Sequence, residues 1–291
     1  MKNISRRTFI GTTAMGLGAA ITLSQFPKNP FENNSSNSLD ISLGFQTYPI
    51  RDKLGKDFAG TLKIMAGLGY KIVELCSPVG YAQIGFGFLL NLKTAEIKDI
   101  INNSGLLCPS CHFGKSEFIP ENLDKTIAFA RELGLSQMIC STFGLPETAT
   151  LRDYYEQADL LNKAAEKIKK AGMLTGFHNH EREFSMLEGE LIYDALIARF
   201  EPDLVKMQFQ TEVINLGYKA STYFTKYPGR FISSHLSDWS SDKKYVPIGQ
   251  GVIDWKEFFS AAKTGGVKNF FVEMPFETFK DSASFIDQLK Y

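Results

Sequence analysis

Six titratable side chains occupy equivalent places along this chain. His112 closes the run GLLCPSCH, His178 and His180 close GMLTGFHNH, and His235 closes GRFISSH. Glu74 sits in GYKIVEL and Glu273 ends VKNFFVE. These are all four histidines of the protein, with two carboxylates beside them. Imidazoles and carboxylates brought to one pocket can move protons near neutral pH, and they can hold a divalent cation. Gln210, at the end of VKMQFQ, adds a neutral amide.

Each run is short, apolar and β-prone, and most begin just after a glycine that ends a helix-like stretch. From residue 41 the alternation is regular. Strands are expected at ISLGFQTYPI, KIVELC, LLCPSCH, SQMICS, LTGFHNH, VKMQFQ, RFISSHL and KNFFVEM. Helices are expected at 57–68, 94–103, 120–134, 150–171, 188–200, 219–227, 254–266 and 281–290. Strand–helix–strand repeats demand a parallel sheet, and eight units over about 250 residues fit a closed (β/α)8 TIM barrel. An open doubly wound sheet would want a glycine-rich phosphate loop after the first strand, and GFQTYPIRD has none. In a barrel the active site lies at the C-terminal ends of the strands. There the six side chains converge. Glu183, Asp238 and Asp254 are further acids in the loops, and Asp254 also stands where it can cap the helix that follows. Loops 77–91 and 238–248 are expected to close over the pocket. Phe45, Tyr48, Phe86 and Trp239 are candidates for an apolar wall.

The bulk numbers narrow the partners. The chain has 291 residues, 44% hydrophobic and 22% charged, with 32 basic and 32 acidic side chains. Zero net charge argues against a nucleic-acid groove or a polybasic membrane surface. Four cysteines, Cys76, Cys108, Cys111 and Cys140, fall at or near expected strand ends. Cys108-x-x-Cys111-His112 matches the spacing of haem attachment. Its place at a strand end in a repeating α/β pattern favours buried free thiols, with a Cys108–Cys111 disulfide as the alternative.

Residues 1–38 are expected to lie outside the fold. Ser5-Arg6-Arg7-Thr8-Phe9-Ile10-Gly11 resembles a twin-arginine export signal. An apolar run from Gly11 to Leu23 follows, too short for a comfortable membrane span, and then a polar linker over 27–38. The reading is a folded protein sent to the periplasm or beyond, with the barrel over 39–291.

The strand ends carry a family likeness. GFHNHEREF, GRFISSHLSDW, VPIGQGVIDWKEFF and FFVEMPFE resemble the xylose isomerase-like sugar isomerases and epimerases over nearly all of residues 40–291. The stretch with Gly249, Gly251, Asp254 and Trp255 is the most specific piece. The resemblance implies a TIM barrel, a divalent metal and a reaction on keto sugars or polyols. It also implies a metal set of glutamate, aspartate, histidine and glutamate from strands five to eight. His235 and Glu273 match; His178 and Gln210 stand at the other two places. Such a set is poor in carboxylates. It suits zinc, iron, cobalt or nickel better than the manganese often found in the family.

The expected activity is therefore that of an exported sugar isomerase, epimerase or related lyase. It would take a proton from the carbon beside a carbonyl of a small keto-type sugar or glycoside. Glu273, His235 and Glu183 are the expected catalytic groups, and His112, His180, Glu74 and Asp254 the expected substrate contacts. The alternative is a non-catalytic sugar-binding barrel whose metal site has decayed.

Overall fold

Glycine and proline set the breaks in this chain, and hydrophobic alternation sets the strands between them. In the computed structural model of the protein, which describes residues 42–289, eight parallel strands close into a barrel. They are β1 (Leu43–Gln46), β2 (Ile72–Cys76), β3 (Leu107–Phe113), β4 (Gln137–Cys140), β5 (Leu174–His178), β6 (Val205–Gln210), β7 (Phe231–Leu236) and β8 (Asn269–Val272). They follow one another round the barrel in chain order, and β1 closes on β8 with Gly44 opposite Phe271. The expected (β/α)8 fold is the fold observed. The export segment expected at 1–38 lies outside the described residues.

The helices are α1 (Arg51–Lys56), α2 (Phe58–Gly67), α3 (Thr94–Asn103), α4 (Pro120–Leu133), α5 (Leu151–Lys170), α6 (Ile192–Arg199), α7 (Ala220–Lys226), α8 (Trp255–Gly265) and α9 (Phe279–Gln288). Proline opens α4, where a missing N–H costs nothing, and Gly134 ends it at φ 93°. Thr150 and Asp153 cap α5 reciprocally. Among the described residues no helix is long and apolar enough to cross a membrane.

Three boundaries differ from the sequence expectation. The first strand stops at Gln46, and Tyr48–Ile50 turn into a 3-10 segment that leads into the unforeseen α1. Pro49 has no N–H for a strand ladder and starts that turn readily. The helix expected at 188–200 is α6, and it begins only at Ile192 because Met186–Leu187 and Glu190–Leu191 form a small hairpin around Gly189. The fifth strand ends at His178, so His180 belongs to the loop that follows.

Period-two alternation places the site. In β6, Met207 and Phe209 point outward; Phe209 meets Tyr223, Phe224 and Phe184 under the helices. Gln208 and Gln210 therefore point into the barrel, as do Ser233 and His235 in β7 and Ser110 and His112 in β3. The barrel interior is thus polar near its C-terminal end, and its outer face carries the apolar core.

Candidate active site

The lowest layer of the site is a buried carboxylate. Glu74 is fully buried, so its charge must be met by protein groups. Its Oε1 accepts from Ser110 Oγ and, at 2.8 Å, from Gln208 Nε2. Its Oε2 meets His235 Nε2 closely and lies 3.2 Å from His112 Nε2. Gln208 ties the layer together, with its Oε1 2.6 Å from His112 Nε2 and its Nε2 donating to Ser233 Oγ at 2.9 Å. Burial alone would raise the Glu74 pKa. His112 and His235 outweigh it and hold the carboxyl well below the usual range.

Above it lie the imidazoles. His112, His178 and His235 each bring one ring nitrogen within 4.8 Å of the others. His235 is bracketed by two carboxylates, with Nδ1 2.8 Å from Glu273 Oε2 and Nε2 against Glu74. Burial works against a charge on His235, but Glu273 and Glu74 push its pKa up to about 9. His178 is buried and pushed the other way, by desolvation and then by the neighbouring histidines. Its Nδ1 has no hydrogen-bond partner among the described residues. His180 sits at the rim with its ring 4.8 Å from that of His178.

These groups form the floor of a cleft of about 600 Å³, within the range of small-molecule sites. His112, His178, His180, Gln210 and Glu273 line it. The loops at 77–91 and 238–248 both reach it, through Tyr81 and Ile84 and through Tyr245. Tyr48 comes from the segment read as the end of the first strand and Arg51 from the start of α1, and the guanidinium lies 4.4 Å over the Tyr48 ring. Glu212 is a second acid in the lining. Burial, then the charges of Glu181 and Glu273, push its pKa up to about 7.

The sequence expectations fare unevenly. Glu273, His112, His178, His180 and Gln210 are brought together at the cleft. His235 and Glu74 are fully buried beneath it. Glu74, expected to contact substrate, lies buried beneath the cleft against His112 and His235. Glu183 does not line the cleft: it is buried, and its Oε2 accepts the His180 N–H at 2.7 Å, closing a 3-10 turn. Asp254 is also elsewhere, accepting from the N–H groups of Lys256 and Glu257 at 3.0 Å and capping α8. The glycine-rich stretch before it serves Asp238. That buried carboxylate accepts from Gly249 N, Gly251 N and Trp255 Nε1 at 2.9, 3.1 and 2.8 Å. A Cβ on Gly251 would fall 2.1 Å from Asp238 Oδ1, so glycine is required there. Of the four expected wall aromatics only Tyr48 lines the cleft; Phe45 and Phe86 are fully buried core. Trp239 is buried against Tyr245, their ring centroids 3.9 Å apart. All four cysteines are buried free thiols, so the alternative Cys108–Cys111 disulfide is not formed. Gln208 and Glu212 were missed. Alternation in VKMQFQ would have put Gln208 on the same face as Gln210, two residues on.

A divalent metal can be tested against these residues. The donors present are three imidazoles and the Glu273 carboxylate, and one imidazole nitrogen is buried without a partner. Imidazole donors suit zinc, iron, cobalt or nickel, so the site fits a borderline cation better than magnesium or manganese. Gln210 is a weaker candidate, since it offers only a neutral amide Oε1, which already accepts from the Glu212 N–H at 3.4 Å.

Comparison with known proteins agrees with this architecture. A family described as "Xylose isomerase-like TIM barrel" matches residues 62–289. Among solved structures, a sugar phosphate isomerase/epimerase from Parabacteroides distasonis aligns at 24% identity and TM-score 0.72, covering 86% of this chain and 95% of its own. An L-ribulose 3-epimerase aligns at 16% identity and TM-score 0.60, covering 84% and 93%. The IolI protein with a bound zinc atom aligns at 13% identity and TM-score 0.62, covering 85% and 94%. At these identities the likeness is one of fold.

Proposed function

The chain belongs to the xylose isomerase-like TIM barrel family, and we propose that it is a sugar isomerase or epimerase acting on a keto-type sugar or glycoside. The observation that carries this reading is the cleft floor: a carboxylate open to the cleft, Glu273, backed by His235, with His112, His178 and His180 around it. Isomerisation and epimerisation begin with loss of a proton from carbon beside a carbonyl. That step needs a base within hydrogen-bond reach and a group that stabilises charge on the carbonyl oxygen.

In this reading Glu273 is the base. Gln210 Nε2 and His235 Nδ1 both hold its Oε2. His112 and His180, also in the lining, can bond sugar hydroxyls or carry a proton. Glu212 is a second acid in the lining, with a pKa suited to returning a proton near neutrality. Tyr81, Tyr245, Met274 and Pro275 give apolar surface for a ring to pack on and keep out water. A borderline divalent cation held by the imidazoles and Glu273 would supply Lewis-acid polarisation of the carbonyl oxygen. The zinc atom in the IolI structure supports a metal of this kind.

The chemistry is tested by incubating the protein with free keto sugars and keto-glycosides in deuterated water and following exchange beside the carbonyl by NMR. Wild type exchanges one carbon-bound proton, and Glu273→Gln does so at least about 100-fold more slowly. Sugars that bind without exchange would instead identify a sugar-binding barrel. That second reading takes its support from Gln210, a neutral amide bound to the would-be base.

We also propose export by the twin-arginine route, from Arg6-Arg7 and the apolar run after them. A protein of the periplasm or beyond meets free sugars and glycosides more than phosphorylated intermediates.

A further inference from the structure

We propose that the cleft takes its sugar as part of a two-ring glycoside. One ring lies on the polar floor. A second ring, of a sugar or an aromatic alcohol, lies on an outer wall built from Tyr48, Ile84 and Tyr245. The inference rests on the reading that the floor holds a sugar, and it adds what that sugar is joined to.

Three observations carry it. The first is size. A single pyranose displaces roughly six water molecules, or about 180 Å³ at about 30 Å³ each. The cleft holds about 600 Å³. One ring leaves most of that space to water.

The second is how the lining divides. His112, His178 and Gln210 are buried. Tyr48, Ile84 and Tyr245 line the same cleft yet stay 37%, 46% and 41% exposed. Large apolar side chains gathered and left open in one cleft mark a binding groove. They also share one side of the mouth. Tyr48 follows β1, Ile84 follows β2 and Tyr245 follows β7, and the strands β7, β8, β1 and β2 are consecutive round the barrel. Pro275, after β8, completes the arc. A sugar held by the polar floor therefore has open apolar surface along this arc.

The third is preorganisation. The Tyr48 ring has the Arg51 guanidinium 4.4 Å over its centroid and meets the Tyr81 ring edge-on, with centroids 6.3 Å apart. Arg51 is itself braced. Its Nη1 donates to the Tyr48 carbonyl at 2.8 Å, and its stem passes Gly85, where a Cβ would come 3.0 Å from Arg51 Cδ. Gly85 has φ 111°, so glycine suits both the turn and the close approach. Tyr245 packs on the buried Trp239. Rings fixed before binding lose little freedom when a ligand settles on them. Among the described residues the Arg51 guanidinium donates to the Tyr48 carbonyl alone, so it keeps N–H groups for hydroxyls of the second ring.

The test is calorimetric titration of the purified protein with sets of three unreactive glycosides: a methyl glycoside, the 4-nitrophenyl glycoside and the matching disaccharide. Sets built on glucose, galactose and mannose, in both anomers, cover the choice of sugar. In at least one set a two-ring member should bind about tenfold tighter than the methyl glycoside, a gap of about 1.4 kcal/mol. Preference for the disaccharide assigns the second ring to a sugar, and preference for the nitrophenyl compound assigns it to an aromatic alcohol. Tyr48→Ala should bring the ratio close to one, and Tyr48→Phe should keep it. Tyr245→Ala, in a different loop, should lower it as well. The ratio is taken within each variant, so a general loss of affinity does not mimic the effect. The proposal is overturned if no two-ring compound binds more tightly than its methyl glycoside, or if both alanine variants keep the full preference. The titration reads binding alone. A protein that shows the preference but exchanges no proton in deuterated water keeps this second-ring site and loses the proposed activity. One that exchanges protons of free keto sugars without any two-ring preference keeps the activity and loses the second-ring site.

Discussion

Glu74 is the buried carboxylate on which two imidazoles of the site rest. It is a fully buried carboxylate contacted by Ser110, Gln208, His112 and His235. Removing one member of a buried charge pair leaves the other uncompensated and typically costs about 3–5 kcal/mol. Glu74→Gln is expected to lower unfolding stability by about that much in a urea titration, and to cost more than Glu273→Gln, since Glu273 is partly exposed to the cleft. Equal losses in the two variants would mean that Glu74 is not the anchor of the imidazoles. Legibility in the sequence also differed residue by residue. Glu273 and the histidines were readable because titratable groups ending apolar runs stand out. Gln208 was not, because an amide inside a strand looks like one more polar residue until its partners are known.

At the scale of elements, two acids once counted with the site, Glu183 and Asp254, turn out to hold the backbone. Asp254 accepts from two N–H groups at the start of α8. Asp254→Ala should therefore lower stability by about 0.5–2 kcal/mol, as the loss of a helix cap does, and leave turnover at saturating sugar unchanged. A fall in turnover with unchanged stability would return Asp254 to the site. Glu117, in the turn after β3, gives a pH prediction. Its Oε2 accepts from Ser77 Oγ at 2.7 Å and Gly114 N at 2.8 Å, yet burial raises its pKa above the ordinary value. A carboxyl whose folded pKa is raised supports the fold fully below its unfolded pKa of about 4.3 and loses that contribution as pH rises through the folded value. Wild type should therefore lose stability relative to Glu117→Gln as pH climbs from about 4 towards neutrality. Melting curves of the pair across that range check the sign, and a constant difference would show that Glu117 does not titrate in the fold.

For the whole molecule, the barrel accounts for residues 42–289, and the export reading rests on what precedes it. If residues 1–38 are a twin-arginine signal, fusing them to a reporter that folds in the cytoplasm should send it across the inner membrane. Replacing Arg6 and Arg7 together by lysine should stop it. Fractionation of cells that express both fusions decides this, and transport of the double-lysine form would point to another route or to none.

The sequence by itself determined the fold class, because eight alternations of strand and helix admit few topologies and each alternation is local. It also determined that histidines and Glu273 meet, because a parallel barrel sends every strand end to one face. Only the tertiary structure decided which end residues touch. His112 and His235 are 123 positions apart in the chain yet share one carboxylate oxygen of Glu74. The register of adjacent strands sets that meeting, with Cys76 opposite His112 and Gln210 opposite His235. No local pattern encodes it. The same holds for Glu183 and Asp254. Their spacing allowed a reach into the cleft, but the nearest unsatisfied N–H groups claimed them first.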